Sequence, residues 1–186
     1  MMEKLAQIFD GWNGYQESLC RAVAPLTKEQ LAFKAGEGMR SMGHLIRHIA
    51  LGRITWLARI EPIGIDETLA GVPRWFTDGD GNRHVDEERV SWEDVRGLAD
   101  WLAVSWRPIN DSLNAWTVDD LLQSYPYRFR GTNYLISRQW VLWRMLSHDI
   151  HHGGQLALQL ALQGIPAFEL RALGGHITEP PLLQTN

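Results

Sequence analysis

His44 and His48 stand four residues apart, and so do His148 and His152, in a chain that has seven histidines in all. On a helix a spacing of four turns by about 40°, so the members of each pair leave one face and can approach one point from a shared direction. Imidazoles set out in this way suit a metal. Buried together without one, neutral rings lack partners and charged rings repel, and a divalent cation resolves both difficulties. Three neutral nitrogens plus water form an open Zn²⁺ site, and the same donors serve Ni²⁺, Fe²⁺ or Mn²⁺, so ligand type does not select the ion. His151 lies about 60° to the other side of His148, which leaves a His148/His151 pair open as well. Gln155 follows His148 by seven residues and lies about 20° from it, while Arg144 is one turn before; helix phase turns both towards the space over such a metal. Asp149 is a carboxylate within reach to orient a histidine. His84 and His176 have no partner at helical spacing and read as bystanders. The single cysteine, Cys20, permits neither a thiolate cage nor an intramolecular disulfide, and its helix phase matches Leu5, Trp12 and Val23, as expected of a small core residue.

Those pairs require two helices to carry them. With 186 residues, 45% of them hydrophobic and 22% charged, the chain has the composition of one globular domain spanning 1–186. Apolar residues at helical spacing predict a first helix over 1–25, and Thr27 with Gln30 forms a capping-type start to a short helical turn. Ser41 opens a second helix that runs to Pro62 and carries His44 and His48. Residues 61–90, rich in glycine, proline and acids, read as a long irregular excursion that can bring Trp75, Phe76 and His84 over the mouth of the fold. A third helix starts at Ser91 and ends near Trp116, with a kink at Pro108, and 125–132 is at best an edge strand. The fourth and longest helix covers 134–164, carries His148, His151 and His152, and stops at Gly164 and Pro166; beyond Glu179 the tail reads as frayed. The expected fold class is all-α: a four-helix bundle with a long loop between helices 2 and 3, whose core can hold a metal between facing helices.

The string Ser147-His148-Asp149-Ile150-His151-His152-Gly153-Gly154-Gln155 resembles the H-x-x-H-H-R-G-Q signature of the DinB/YfiT-like superfamily, whose members are regarded as metalloenzymes. Gly43-His44-Leu45-Ile46-Arg47-His48-Ile49-Ala50 resembles the family's second-helix motif, and the likeness runs from the first helix to Gly164-Ile165-Pro166. The resemblance implies a four-helix bundle, often dimeric, with a three-histidine divalent-metal site. Carried onto this chain, the ligands are His48, His148 and His152. Gly153 replaces the signature arginine, and His44 is additional to the triad, as a fourth ligand, a donor behind the ligands or a helix-surface residue. Relatives include S-transferases that use bacillithiol or mycothiol and a maleylpyruvate isomerase. The resemblance therefore implies a divalent-metal-dependent enzyme acting on a small molecule, thiol S-transferase-like or hydrolase-like, with a low-molecular-weight thiol as one substrate. The alternative is a non-catalytic metal- or ligand-binding stress-response protein.

Other functions fall away on composition. Eighteen Lys plus Arg against twenty-two Asp plus Glu give a net charge of −4, so there is no positive field for nucleic acid or an anionic membrane. The first ten residues lack a basic-then-apolar leader, and the longest uncharged stretch, 153–168, is too short and too polar to span a bilayer, which together with the lone cysteine predicts a cytoplasmic protein. Asp78-Gly79-Asp80-Gly81-Asn82 has the spacing of a calcium loop, but Arg83 and Arg89 stand where that loop needs glycine and glutamate, so a surface hairpin turn is the better account. Six aromatic-basic residues at 125–130 are too few to argue for base stacking. Nine tryptophans exceed what a small helical core absorbs, and predict a homodimer interface or an aromatic site mouth.

Overall fold

The computed structural model describes residues 4–166; His176 and the tail beyond Glu179 lie outside them. Among the described residues the fold is mostly helical: α1 (Leu5–Ile8), α2 (Asp10–Val23), α3 (Lys28–Ala32), α4 (Met42–Leu57), α5 (Ile65–Ala70), α6 (Val95–Ala115) and α7 (Arg138–Leu162). Two antiparallel hairpins interrupt it, β1 (Trp75–Thr77) with β2 (Arg83–Val85), and β3 (Ser124–Phe129) with β4 (Thr132–Ser137). The all-α expectation is therefore corrected to mostly helical with two small hairpins.

Polar caps set the helix starts. Thr27 and Gln30 form the expected capping box on α3, Ser41 accepts from the His44 amide at the head of α4, and Ser137 accepts from the Trp140 amide at the head of α7. The third long helix begins later than expected, because Asp94, not Ser91, caps it by accepting from the Arg96 amide. α6 continues through Pro108. Proline has no amide to offer the Val104 carbonyl four residues back, and the Thr68 hydroxyl of α5 donates to that oxygen instead, at 3.4 Å.

The fourth long helix starts at Arg138, because Tyr134, Leu135 and Ile136 lie in β4. Arg130 and Gly131 both have positive φ, 51° and 78°, the combination that a two-residue hairpin turn requires, and the chain doubles back there. The Asp80 carboxylate accepts from both turn amides at 2.6 and 2.8 Å, tying the two hairpins together. The 61–90 segment is likewise not structureless, since it contains α5, the β1–β2 hairpin and a 3₁₀ turn over Glu87–Arg89. Asp78 closes its hairpin turn by accepting from the amides of Asp80 and Asn82, which is the surface turn expected in place of a calcium loop.

α4 is the centre of the packing. Leu45, Ile46, Ile49 and Ala50 are buried against Leu19 and Val23 of α2, Leu98 and Leu102 of α6, and Leu156 and Leu160 of α7. Further along α4, Leu51 and Ile54 meet Val72, Val85 and Val90, which seats the β1–β2 hairpin on the helix. Gly43 makes one close approach possible: a Cβ there would come within 2.3 Å of the Trp92 carbonyl oxygen. The segment after the 3₁₀ turn can therefore lie directly on α4.

Candidate metal centre

α4 supplies His48 and α7 supplies His148 and His152, and one nitrogen from each lies within 4.8 Å of the others. The three rings are mutually 4.5 to 4.7 Å apart, and Nε2 of His48 is 3.0 Å from Nε2 of His148. Gly52, one turn past His48, makes room for this meeting, because a Cβ at that position would sit 2.8 Å from Cε1 of His148.

The outward nitrogens are held by acceptors. Nδ1 of His48 lies 2.8 Å from Oε1 of Glu87, in the 3₁₀ turn, and Nδ1 of His152 lies 2.8 Å from Oε1 of Gln155. A carboxylate and an amide oxygen can only accept, so each Nδ1 carries a proton, and in the neutral ring that tautomer turns the Nε2 lone pair inwards. Burial pushes the Glu87 carboxyl up, but the hydrogen bond and attraction of His48, then the charge of Arg47, outweigh it and hold the group below the usual range, ionised at neutral pH. Burial, then repulsion from His48 and His152, pushes His148 down to about 3. His152 is also lowered, chiefly by burial. Neutral imidazoles with converging lone pairs are the form that binds a metal.

The histidines open into a cavity of about 900 Å³ whose walls include Arg40, Phe76, His84, Arg144 and His151. Phe76 and His84 do reach the mouth on the β1–β2 hairpin, whereas Trp75 is not among the lining residues. His84 is less of a bystander than its isolation in sequence suggested: Nε2 lies 2.9 Å from the Asp78 carboxylate and its ring stacks on Phe76 in the cavity wall.

His44 does not join the group. Its Nδ1 lies 2.7 Å from the Ser41 hydroxyl and its ring packs on Trp92, at the start of α4, and it is absent from the cavity wall. His151 is exposed in the wall, with its Nε2 3.4 Å from Nε2 of Gln155. Asp149 orients no histidine. It is fully buried on the opposite side of α7, where Oδ2 accepts from Nε1 of Trp12 and Nε of Arg53, both at 2.9 Å. Arg53, also fully buried, donates to Gln16 as well, at 2.7 Å. Sequence reasoning did not single out Glu87, Gly52 or Arg53. Only Gly52 carried a usable signal, a glycine one turn beyond a histidine on the same helix face.

The DinB superfamily profile matches residues 15–156. A crystal structure of a DinB-like protein from Bacillus cereus ATCC 10987 is similar at a TM-score of 0.63 and 18% identity, covering 92% of this chain and 100% of that one. A conserved protein from Enterococcus faecalis is similar at a TM-score of 0.54 and 17% identity, covering 87% and 99%. Among curated proteins, none matches. At these identities the solved structures speak for the fold alone, but the profile covers most of the sequence, helices and histidine motifs included: the chain belongs to the DinB superfamily.

Proposed function

We propose that this protein binds a divalent metal ion through Nε2 of His48, His148 and His152 and uses it on a small-molecule substrate, in thiol transfer or hydrolysis, on a four-helix frame of α2, α4, α6 and α7. One observation carries the reading: the inward nitrogens converge while Glu87 and Gln155 fix the outward ones. The donor set fits. Two nitrogens about 2.1 Å from a common ion would be about 3.0 Å apart at a right angle and about 3.4 Å apart at a tetrahedral one, and the His48–His148 pair is at 3.0 Å. When bound, such an ion lowers the pKa of a water or thiol, or polarises a carbonyl. The chain's own residues do the rest: Glu87 and Gln155 keep the imidazoles in one tautomer, and Arg40 and Arg144 line the cavity with positive charge.

Metal analysis of protein purified without a histidine tag, beside His48→Ala and His148→Ala variants, tests the site. About one ion per chain is expected in the parent and a large loss in both variants, and undiminished content in both would refute it. Conjugation assays with bacillithiol, mycothiol and glutathione, with Zn²⁺, Ni²⁺ and Mn²⁺ added in turn, then separate an enzyme from a protein that only holds metal. No helix among the described residues is long and apolar enough to cross a membrane. A homodimer is supported by Trp143 and Ile150, which are exposed seven residues apart on one face of α7. Sedimentation at low concentration tests that arrangement, and a persistent monomer would count against it.

A further inference from the structure

We propose that an aromatic cavity beside the histidines receives the apolar arm of an anionic substrate, with Arg144 taking the anion, a carboxylate or a phosphate. That the ligand is a substrate rests on reading the histidine cavity as the reaction centre; the binding itself does not.

The second cavity, of about 400 Å³, is walled by Tyr127 and Phe129 of β3, Tyr134 of β4 and Trp140 of α7. It shares two residues with the histidine cavity, Trp56 and Arg144. Trp56 is held from several sides, by the Arg59 guanidinium at 4.8 Å, the Arg144 guanidinium at 5.6 Å and the edge of Trp140 at 5.4 Å. The partition between the cavities is therefore a fixed indole with an arginine lying on it. Each of the two spaces falls in the range of small-molecule sites, in which apolar walls supply area and a few polar groups set orientation.

Charge decides what such a ligand carries. The carboxylates lining the histidine cavity are paired: Glu87 with His48, Glu88 with Arg47, and Asp86 with Arg74 and Arg89. Arg144 has no carboxylate or other hydrogen-bonding partner for its guanidinium among the described residues, only the face of Trp56. Arg144 is exposed, so water hydrates its guanidinium, and a planar or tetrahedral oxyanion that accepts its forked donors replaces that water beside the apolar wall. A ligand holding its anion at Arg144 and its apolar arm among Tyr127, Phe129, Tyr134 and Trp140 projects its remaining end towards His148, one turn further along α7. A second copy of this chain, the other occupant an aromatic face invites, would have to bring an acidic group to that same arginine.

Calorimetric titration of the full-length protein with 2-naphthoate, 2-naphthyl phosphate and neutral 2-naphthamide tests this, with metal content measured on each sample. At least one anion is expected to bind tenfold or more tightly than the amide, and the tighter of the two identifies the group. Arg144→Gln should abolish the preference, bringing the anions to the affinity of the amide, and Trp140→Ala should weaken all three probes. Equal affinity of anions and amide overturns the proposal, and so does a preference that survives in Arg144→Gln, which would place the anion on an ion at the histidines. Absence of naphthyl binding, with a dimer that Trp140→Ala dissociates, overturns it in favour of a subunit interface. Arg144-dependent binding to protein that holds no metal refutes the metal-centre reading and leaves this site standing; bound metal without naphthyl binding does the reverse.

Discussion

Gly52→Ala separates the requirements of the site from those of the fold. Gly52 lies inside α4, where alanine is intrinsically favoured by up to about 1 kcal/mol. The new Cβ would sit 2.8 Å from Cε1, 3.3 Å from Nε2 and 3.6 Å from Nδ1 of His148. Restoring an ordinary carbon contact of about 3.5 Å means moving the ring by about 0.7 Å. The His148 side chain can swing to provide that, so the fold loses little. A metal site tolerates only about 0.2 Å in its ligand distances, so the same movement takes one nitrogen of three out of range. Metal affinity should fall by at least the roughly 10- to 100-fold that follows from losing a group that merely orients a ligand. Competition against a chromophoric chelator measures this, and thermal unfolding of chelator-treated protein provides the control. The expected result is lost affinity with a midpoint unchanged or raised. Parental affinity in Gly52→Ala would refute the convergence of His148 on the site, and a collapsed midpoint would mean that the ring cannot move as argued.

Glu87→Ala removes the acceptor that fixes the His48 tautomer and should lower metal affinity by about 10- to 100-fold, read in the same competition assay, with unchanged affinity counting against the role. Burial pushes the Asp149 carboxyl up while Arg53 and Trp12 pull it down, and Asp149→Asn, which leaves Arg53 without a carboxylate in a site with no exposure, should cost about 3 to 5 kcal/mol in denaturant unfolding if the pair is ionised; a loss below about 1 kcal/mol would show that it is not. Metal-free protein should lose stability from pH 7 to pH 5. His148 is held at about 3 in the fold against 6.5 in the open chain, so across that window the unfolded state takes up the proton and the folded state does not. The unfolding free energy therefore falls with falling pH, by up to about 1.4 kcal/mol per unit below 6.5 for this group, and His152, lowered for the same reason, acts in the same direction. A flat stability profile between pH 7 and 5 in chelator would contradict the burial of neutral imidazole.

The histidine pairs were legible because helical spacing is local: residues four apart share a face whatever the rest of the chain does. Glu87 was not, since it reaches His48 from a turn 39 positions away and nothing in the acidic run 86–88 distinguishes one carboxylate from its neighbours. Asp149 departs from the expectation because helix phase, not adjacency to His148, decides where it points. Leu142, Met145, Asp149 and Leu156 form one buried stripe of α7, and helix periodicity alone places the carboxylate in it. The start of α7 failed for a different reason. Tyr134, Leu135 and Ile136 are apolar enough to continue a helix, and what makes them a strand is pairing with Tyr125, Pro126 and Tyr127 across a two-residue turn, a tertiary fact with no periodic trace. The short elements within 61–90 escaped because three to six residues are too few for a period to show.

The buried pair of Arg53 and Asp149 lies directly behind the histidines, and that position gives it a part in setting them. On α4, Gly52 faces His148 and the next residue, Arg53, turns by about 100° into the interior; on α7, His148 faces the site and the next residue, Asp149, makes the same turn. Site side and core side are thus matched residue for residue on both helices. Trp12 and Gln16 of α2 complete the cluster, donating to Asp149 and accepting from Arg53. A buried pair of this kind contributes little net stability, since desolvation offsets most of the attraction, but it does specify register, because a helix slipped out of place leaves two charges unpaired in the core. A slip of one residue moves α7 by about 1.5 Å along α4, several times the tolerance of a metal–nitrogen distance. Apolar packing between Leu45, Ile49, Leu156 and Leu160 is non-directional and tolerates smaller adjustments. The directional bonds of Arg53 and Asp149 add to that packing a register constraint on the helices that carry His48 and His148.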